Sequence, residues 1–232
     1  TDLKAVLGFG DKKIKQLKAD FNIKNMDEIK AFLDKNPLSV SNNLKLTTQQ
    51  QVGIEYHSEL QQKVSREEAE KMTSKIKSIL TKTTNKVIKD GKITVELAGS
   101  FASSLTTQSK DIDILIKSSK FKSKEAIEKT TLMKEIVKEL SATEIVINIL
   151  SLGKTKLLGI ARLNSKVPHR HLDMRLVGDD GYIYAKMYYT SGAMFNKMMR
   201  TVAKKNKLKL NEWGLYDLKG NKVDGLKNEK DI

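Results

Sequence analysis

A chain of 232 residues with 39% hydrophobic content has enough apolar surface for a real core and is not a disordered tract. It contains no Cys, which excludes disulfides, thiolate metal sites and a Cys nucleophile; no apolar run approaches the roughly 20 residues of a membrane span, and no signal peptide is visible. Net charge is +15, almost all of it Lys with Arg only at 66, 162, 170, 175 and 200, so the expected partner is a polyanion held in a salt-dependent way.

Leu7-Gly-Phe-Gly10 reads as a glycine hairpin, and Ile14 and Leu17 at helical spacing predict a helix after it. A second helix is predicted at about 26–34, with Met26, Ile29, Phe32 and Leu33 on one face. Ser65-Arg-Glu-Glu68 has the form of a capping box in which Glu68 reaches back. The helix it opens turns Met72, Ile76, Ile79 and Leu80 inward and runs to about residue 89, before an Asp90-Gly91 turn signal. Alternation of Ile93, Val95 and Leu97 predicts a strand over 92–98 that ends on Gly99-Ser100, with a short helix after Ser100 and a further strand over 111–117. Ser123 to Leu140 reads as one amphipathic helix; Ile145–Leu150 and Lys156–Leu163 read as strands. His171–Val177 alternates Leu172, Met174 and Leu176 against Asp173 and Arg175. Tyr182–Tyr189 is expected to be a strand, and Ser191 to open a helix carrying Met194, Phe195, Met198 and Val202. Short strands and a Lys219-Gly-Asn221 turn are expected beyond Leu208, with neither repeats nor a low-complexity linker anywhere.

The carboxylates carry the chemistry. Asp111 and Asp113 share one face of their strand while Ile112, Ile114 and Ile116 share the other. Asp173 stands on a second strand of the same pattern. Carboxylates crowded on one face repel unless a cation lies between them, and hard oxygen donors of this kind suit Mg²⁺ with substrate phosphates completing its shell. The Gly99-Ser100 turn can offer backbone N–H groups to those phosphates. The plain alternative for Asp-x-Asp is a solvated sheet face, and Arg175 can neutralise an Asp in the absence of metal. Three carboxylates support two-metal phosphoryl transfer.

With these residues assembled, the chain resembles the family X DNA polymerases of the beta type from Leu3 to Ile232. The resemblance rests on Gly8-Phe-Gly10, Ser65-Arg-Glu-Glu68, Gly99-Ser-Phe101, Asp111-Ile-Asp113, Ser151-Leu-Gly-Lys-Thr-Lys156, Leu172-Asp-Met-Arg175, Tyr188-Tyr-Thr190, Phe195-Asn-Lys197 with Arg200, Asn211-Glu212 and Glu229-Lys-Asp231. It implies an α/β (α+β) nucleotidyltransferase palm at 68–179, a helix-hairpin-helix DNA-gripping subdomain at 1–67 and a nucleotide- and template-selecting subdomain at 180–232. It further implies two Mg²⁺, or Mn²⁺, on Asp111 and Asp113, with Asp173 on the catalytic one. Arg66, Gly99, Ser100 and the backbone at Ser109 would meet the triphosphate of a deoxynucleotide. Tyr188 and Tyr189 would face its sugar and base, and Asn196 the minor-groove edge. Arg200 and Glu212 would test the template side, and Lys154, Lys156 and His171 would lie along DNA. Gly8, Gly10, Lys12 and Lys13 would grip the primer backbone, with a K⁺ or Na⁺ on the carbonyls of Lys4, Val6 and Phe9.

The implied activity is template-directed filling of short gaps in base excision repair by an intracellular monomer acting on gapped or primer-template DNA. Its compartment (nucleus, cytoplasm or viral factory) is left open, and no membrane partner is expected. The rivals are template-independent nucleotide addition and a non-catalytic DNA-binding scaffold. Departures cluster ahead of the carboxylates: Ser103 stands where beta-type relatives carry an Arg, Lys110 replaces a Gly, and His171 replaces an Arg. Ser191-Gly192 reverses the usual Gly-Ser. Nothing matches the family's N-terminal lyase domain, so no lyase activity is expected, and Thr1 in place of Met is expected of a fragment.

Overall fold

The computed structural model describes residues 2–36, 42–87 and 92–232, so the Asp90-Gly91 turn signal lies outside the described residues. The chain divides into two compact units, Thr1–Gln61 and Gln62–Ile232. No helix among the described residues is long and apolar enough to cross a membrane.

The first unit is helical. A short 3₁₀ turn at Leu3–Ala5 leads through the glycine hairpin into α1 (Asp11–Phe21), and α2 (Met26–Lys35), α3 (Thr48–Glu55) and α4 (His57–Leu60) follow. Leu3, Val6, Leu17, Met26, Ile29 and Leu44 close one core, each such side chain contributing about 1.5–3 kcal/mol on burial. Gly8 holds φ +79°, the left-handed region that a glycine enters without strain. Helix α3 is not anticipated from its apolar spacing. Its start is nonetheless written in Thr47-Thr-Gln-Gln50, a capping box in which the Gln50 N–H donates to Thr47 Oγ1 at 3.2 Å and the Thr47 N–H to Gln50 Oε1 at 3.0 Å.

The second unit is built on a five-stranded mixed sheet. Strand β1 (Val64–Ser65) pairs with β3 (Gln108–Ser109) as a separate antiparallel ribbon. The main sheet takes β2 (Ile93–Leu97), β4 (Asp111–Ser118), β5 (Val146–Leu152), β6 (Lys156–Ala161) and β7 (Arg170–Val177) in the order β2-β4-β7-β6-β5. Only the β4–β7 pair is parallel. One face packs on α5 (Arg66–Val87) and α7 (Leu132–Ala142): Met72, Ile76 and Leu80 meet Leu132, Ile136 and Leu140 over Val95, Ile112, Ile114, Leu172 and Met174. Between the strands lies the short α6 (Lys124–Glu128). After β7 come α8 (Tyr182–Thr190), α9 (Ala193–Lys205) and the hairpin β8 (Leu208–Asn211) with β9 (Gly214–Asp217).

Four sequence expectations are corrected here. Tyr182–Tyr189 is not a strand but helix α8. Its aromatic residues carry strand propensity, yet the segment is buried on two sides at helical spacing. Ala185, with Tyr182 and Tyr189 beside it, packs on Ala98, Leu115 and Val177 of the sheet, while Tyr184 and Met187 pack on Ala203, Leu210 and Leu215. The single helix expected over Ser123–Leu140 is two, because Thr130 turns its hydroxyl to the Ile127 carbonyl (2.7 Å) and accepts from the Leu132 N–H (3.2 Å), competing with the helical ladder. Helix α9 starts at Ala193 behind Gly192 rather than at Ser191, and Met194 and Met198 on it stand 80% and 55% exposed. Ser65 does cap α5, but Glu68 does not reach back, because an arginine holds its carboxylate.

Candidate active site

The parallel register of β4 and β7 sets the site. Asp111 lies beside His171, Asp113 beside Asp173 and Leu115 beside Arg175, all on the sheet face turned away from α5 and α7. The isoleucines that alternate with the two Asp anchor the strand from below, so the carboxylates cannot turn under without unpacking the core. Asp113 sits under the turn that ends β2. There the Ala98 N–H donates to the Asp113 carbonyl at 2.9 Å, and Gly99 adopts φ +57°. A Cβ on Gly99 would stand 1.9 Å from Asp113 Oδ2, so only glycine allows the carboxylate its place.

The charges are crowded. Burial, then the neighbouring Asp173 and Asp111 carboxylates, push Asp113 up to about 6, against the opposing pull of Arg175. Burial lowers the His171 imidazole, against the opposing effect of Asp111. Among the described residues, however, no group of three His, Asp or Glu side chains stands ready to hold an ion as placed. Asp173 is engaged elsewhere: Arg175 donates through Nε to Oδ1 at 2.9 Å and through Nη2 to Oδ2 at 3.3 Å. The neutralising role open to Arg175 in the sequence is therefore the one it occupies. The donor types still suit a hard divalent ion: Asp111, Asp113 and Asp173 offer oxygens on adjacent strands, and burial first, then mutual repulsion, disfavours the charge on Asp113 without one.

Helices α8 and α9 wall a cleft of about 440 Å³ in front of Gly99 and Asp113, lined by Tyr188, Tyr189, Asn196, Lys197 and Arg200 among others. The two tyrosine rings meet edge to face at 4.9 Å. Arg175 lies over Tyr189 at 5.2 Å and Arg200 over Tyr188 at 4.8 Å. Burial raises the Tyr189 phenol to about 12, so it stays a neutral donor at ordinary pH. Asn196 donates through Nδ2 to the Tyr188 carbonyl at 2.7 Å, tying the start of α9 to the end of α8. The Ser191-Gly192 joint itself runs through extended backbone. Glu212 reaches Arg200 at 3.6 Å from the β8–β9 turn, which Asn211 shapes by accepting the Trp213 and Gly214 N–H groups.

Other expected residues lie around this centre. Ser100 is exposed on a 3₁₀ turn, Gly99–Ala102. The Ser109 Oγ accepts from the Asp111 N–H at 3.5 Å. Lys156 stands opposite Arg175 across the β6–β7 pair, and Lys154 is exposed at the β5–β6 turn. Arg66 differs from expectation. Its Nε donates to the Thr106 carbonyl (2.9 Å), its Nη2 to the carbonyls of Phe101 and Ser103, and its Nη1 to Glu70. The fork expected on a triphosphate is thus engaged in shaping the 101–106 loop.

In the first unit, Gly10 opens α1 without a side-chain cap and faces open space, and Lys12 is exposed. Lys13 is not free for phosphate: its ammonium donates to the carbonyls of Leu44 and Lys45 and to Gln16, and burial with the Lys45 charge lowers its pKa. The Val6 carbonyl accepts from the Phe9 N–H at 3.1 Å, so within the trio of Lys4, Val6 and Phe9 one carbonyl already has a partner.

Two features had no role assigned from the sequence. Lys197, which figures there only within the Phe195-Asn-Lys197 motif, lines the cleft. Arg170 and Glu68 form a buried pair (5% and 12% exposed), Nε to Oε1 at 2.8 Å and Nη2 to Oε2 at 2.7 Å, while Arg170 Nη1 donates to the carbonyls of Gln62 and Lys63. They are 102 residues apart, and no local pattern announces them.

Residues 63–179 match the family model described as DNA polymerase beta palm. Residues 185–232 match the one described as DNA polymerase beta thumb.

Proposed function

The chain belongs to the beta-type, family X DNA polymerases, and from that membership we propose that it is a template-directed DNA polymerase adding deoxynucleotides to a primer 3′-OH, acting as a monomer on short gaps in base excision repair. The observation that carries the reading is the β4–β7 register, which sets Asp113 beside Asp173 on the face that opens to the aromatic cleft.

Asp111 and Asp113, joined by Asp173, would hold two Mg²⁺ or Mn²⁺; the bound ions would lower the pKa of the primer hydroxyl and neutralise charge on the leaving pyrophosphate. Asp173 would take part by exchanging its Arg175 partner, whose guanidinium already lies over the Tyr189 ring. The backbone N–H groups around Gly99-Ser100 would orient the triphosphate, and Arg66 would serve it by holding the 101–106 loop. Tyr188 and Tyr189 form the floor for sugar and base, Asn196 fixes the backbone at Tyr188, and the Arg200–Glu212 pair stands on the template side. His171, Lys154 and Lys156 lie along the DNA backbone, as do Gly8, Gly10 and Lys12 of the first unit, with a K⁺ or Na⁺ on the carbonyls there. None of these contacts reads sequence.

Primer extension on a one-nucleotide gap tests the reading, with deoxy- and ribonucleotides compared and Mg²⁺ or Mn²⁺ supplied. Extension should need template and metal; undiminished addition without template rejects it in favour of a terminal-transferase type, and inert wild type in favour of a scaffold. Gly99→Ala should lower the extension rate by about 10²-fold, because displacing a reacting group by about 1 Å costs that much. Its DNA affinity should stay close to wild type in a titration of the same gapped substrate.

A further inference from the structure

We propose that the outer face of the β8–β9 hairpin, with Trp213 at its end, is a track for an unpaired stretch of nucleic acid, bases stacking on Trp213 and Tyr216 and phosphates meeting the lysines beside them. The hairpin register puts Lys209 opposite Tyr216, and Asn211 opposite Gly214, on one face. Leu208, Leu210 and Leu215 turn the other way, into the cluster beneath α9. The outer face is hollow rather than flat. One pocket of about 280 Å³ is lined by Lys124, Glu125, Asp180, Trp213, Tyr216 and Lys222, and a second of about 430 Å³ by Lys209, Tyr216, Asp217, Leu218 and Lys219 among others. Tyr216 lines both, so the two hollows adjoin at its side chain, and the groove is the two taken together.

The groove alternates aromatic faces with cations, the pattern by which single strands are held without regard to sequence. Trp213 packs in part against the Ala98, Leu115, Val177 and Ala185 cluster, and Lys124 lies over its ring at 4.8 Å, the place a stacked base would take with the displaced ammonium beside it. The three wall carboxylates have partners inside the fold: the exposed Glu125 is hydrogen-bonded with Ser123 and its own N–H, near the Lys124 and Lys222 charges. Asp180 holds Lys222 at 3.2 Å, and Asp217 accepts the N–H groups of Lys219 and Asn221 at 2.8 and 2.9 Å. Lys209 and Lys219, by contrast, make no ion pair among the described residues, on a chain of net charge +15. A protein partner fits less well, because protein interfaces are depleted of lysine at their cores. Glu212 joins the groove to the cleft: it precedes Trp213 in the same turn and pairs with Arg200 on the cleft wall. Naming the unpaired strand as template rests on the polymerase reading above; the binding itself does not.

Trp213 is the only tryptophan, so its emission reports occupancy directly. The full chain is titrated with a thymidine oligonucleotide of about 12 nucleotides, inside the 4–16 range such grooves cover. Saturable, salt-sensitive quenching is expected. Tyr216→Ala should weaken binding about tenfold, as for one lost stacked base. The Lys209→Ala/Lys219→Ala double variant should lower the salt slope by about 1.4, the value for two phosphate contacts on a single strand. Filling of a fully paired one-nucleotide gap should stay within about twofold for these variants, since no groove residue touches the cleft chemistry. Unmoved Trp213 emission at saturating oligonucleotide, or an unchanged affinity in Tyr216→Ala, overturns the track. If gaps are filled but emission does not move, the track falls and the polymerase stands; if emission moves and nothing is extended, the reverse holds.

Discussion

Replacing Asp173 by Ala should reduce Mg²⁺-dependent primer extension by at least about 10³-fold, since removing one carboxylate from a two-metal centre forfeits several kcal/mol of transition-state charge stabilisation at about 1.36 kcal/mol per decade. Asp173 does not hold the sheet together: Leu172 and Met174 on either side of it do, both fully buried. Its side chain meets Arg175, and that pair is only partly buried (28% and 24% exposed), so breaking it should cost about 1 kcal/mol or less. Arg175 should keep its place over Tyr189 in the variant, where it already lies at 5.2 Å. The expected variant is therefore folded and binds gapped DNA within about threefold of wild type, because backbone contacts dominate that affinity. Single-turnover extension and a binding titration on the same substrate measure the two properties. Extension retained to within about tenfold would show that Asp173 is no metal ligand, and would favour Arg175 as its permanent partner.

The second large effect concerns stability. Arg170→Met should destabilise the protein by about 3–5 kcal/mol, because Glu68 is left as a buried carboxylate without its cation and two backbone carbonyls lose their donor. At about 2–4 °C per kcal/mol for a domain of this size, the thermal midpoint should fall by roughly 10 °C. The Arg170→Met/Glu68→Leu double variant should recover a large part of that loss, since an apolar pair of similar volume removes the stranded charge. A double variant no more stable than the single one would mean that Arg170 acts through Gln62 and Lys63 instead. The pair also matters to the site. It ties the first turn of α5, where Arg66 shapes the 101–106 loop, to the start of β7, where His171 and Asp173 follow. Arg170→Met should therefore slow extension even below its own melting range.

Much of this was legible along the chain because the signals were local. Period-two alternation marks β2, β4 and β7, since each has one face in a core and one outside it. The carboxylates stand out in β4 and β7 for the same reason: they break an apolar strand on its polar beat. Segments buried on two sides were misread. The aromatic run of α8 contacts the sheet on one side and the α9 cluster on the other, so neither period dominates its composition.

What lies in the sequence alone is the inventory and its local geometry: three Asp on alternating strands, a glycine ahead of them, and a lysine-rich exterior that calls for a polyanion. Side-chain periodicity is a property of the backbone, and it needs no distant residue. The tertiary structure decided which of those groups are at liberty to act. Packing set β4 beside β7 in register, gave Asp173 to Arg175 and placed the Arg66 fork on loop carbonyls. It also paired Arg170 with Glu68 from 102 residues away. A charged side chain takes the partner that lies nearest in space, and nearness across a folded chain is set by how its strands and helices pack rather than by spacing along it. That is why Asp111 and Asp113 could be found by reading, while the partner that restrains Asp173 and the one that stabilises Arg170 had to be seen.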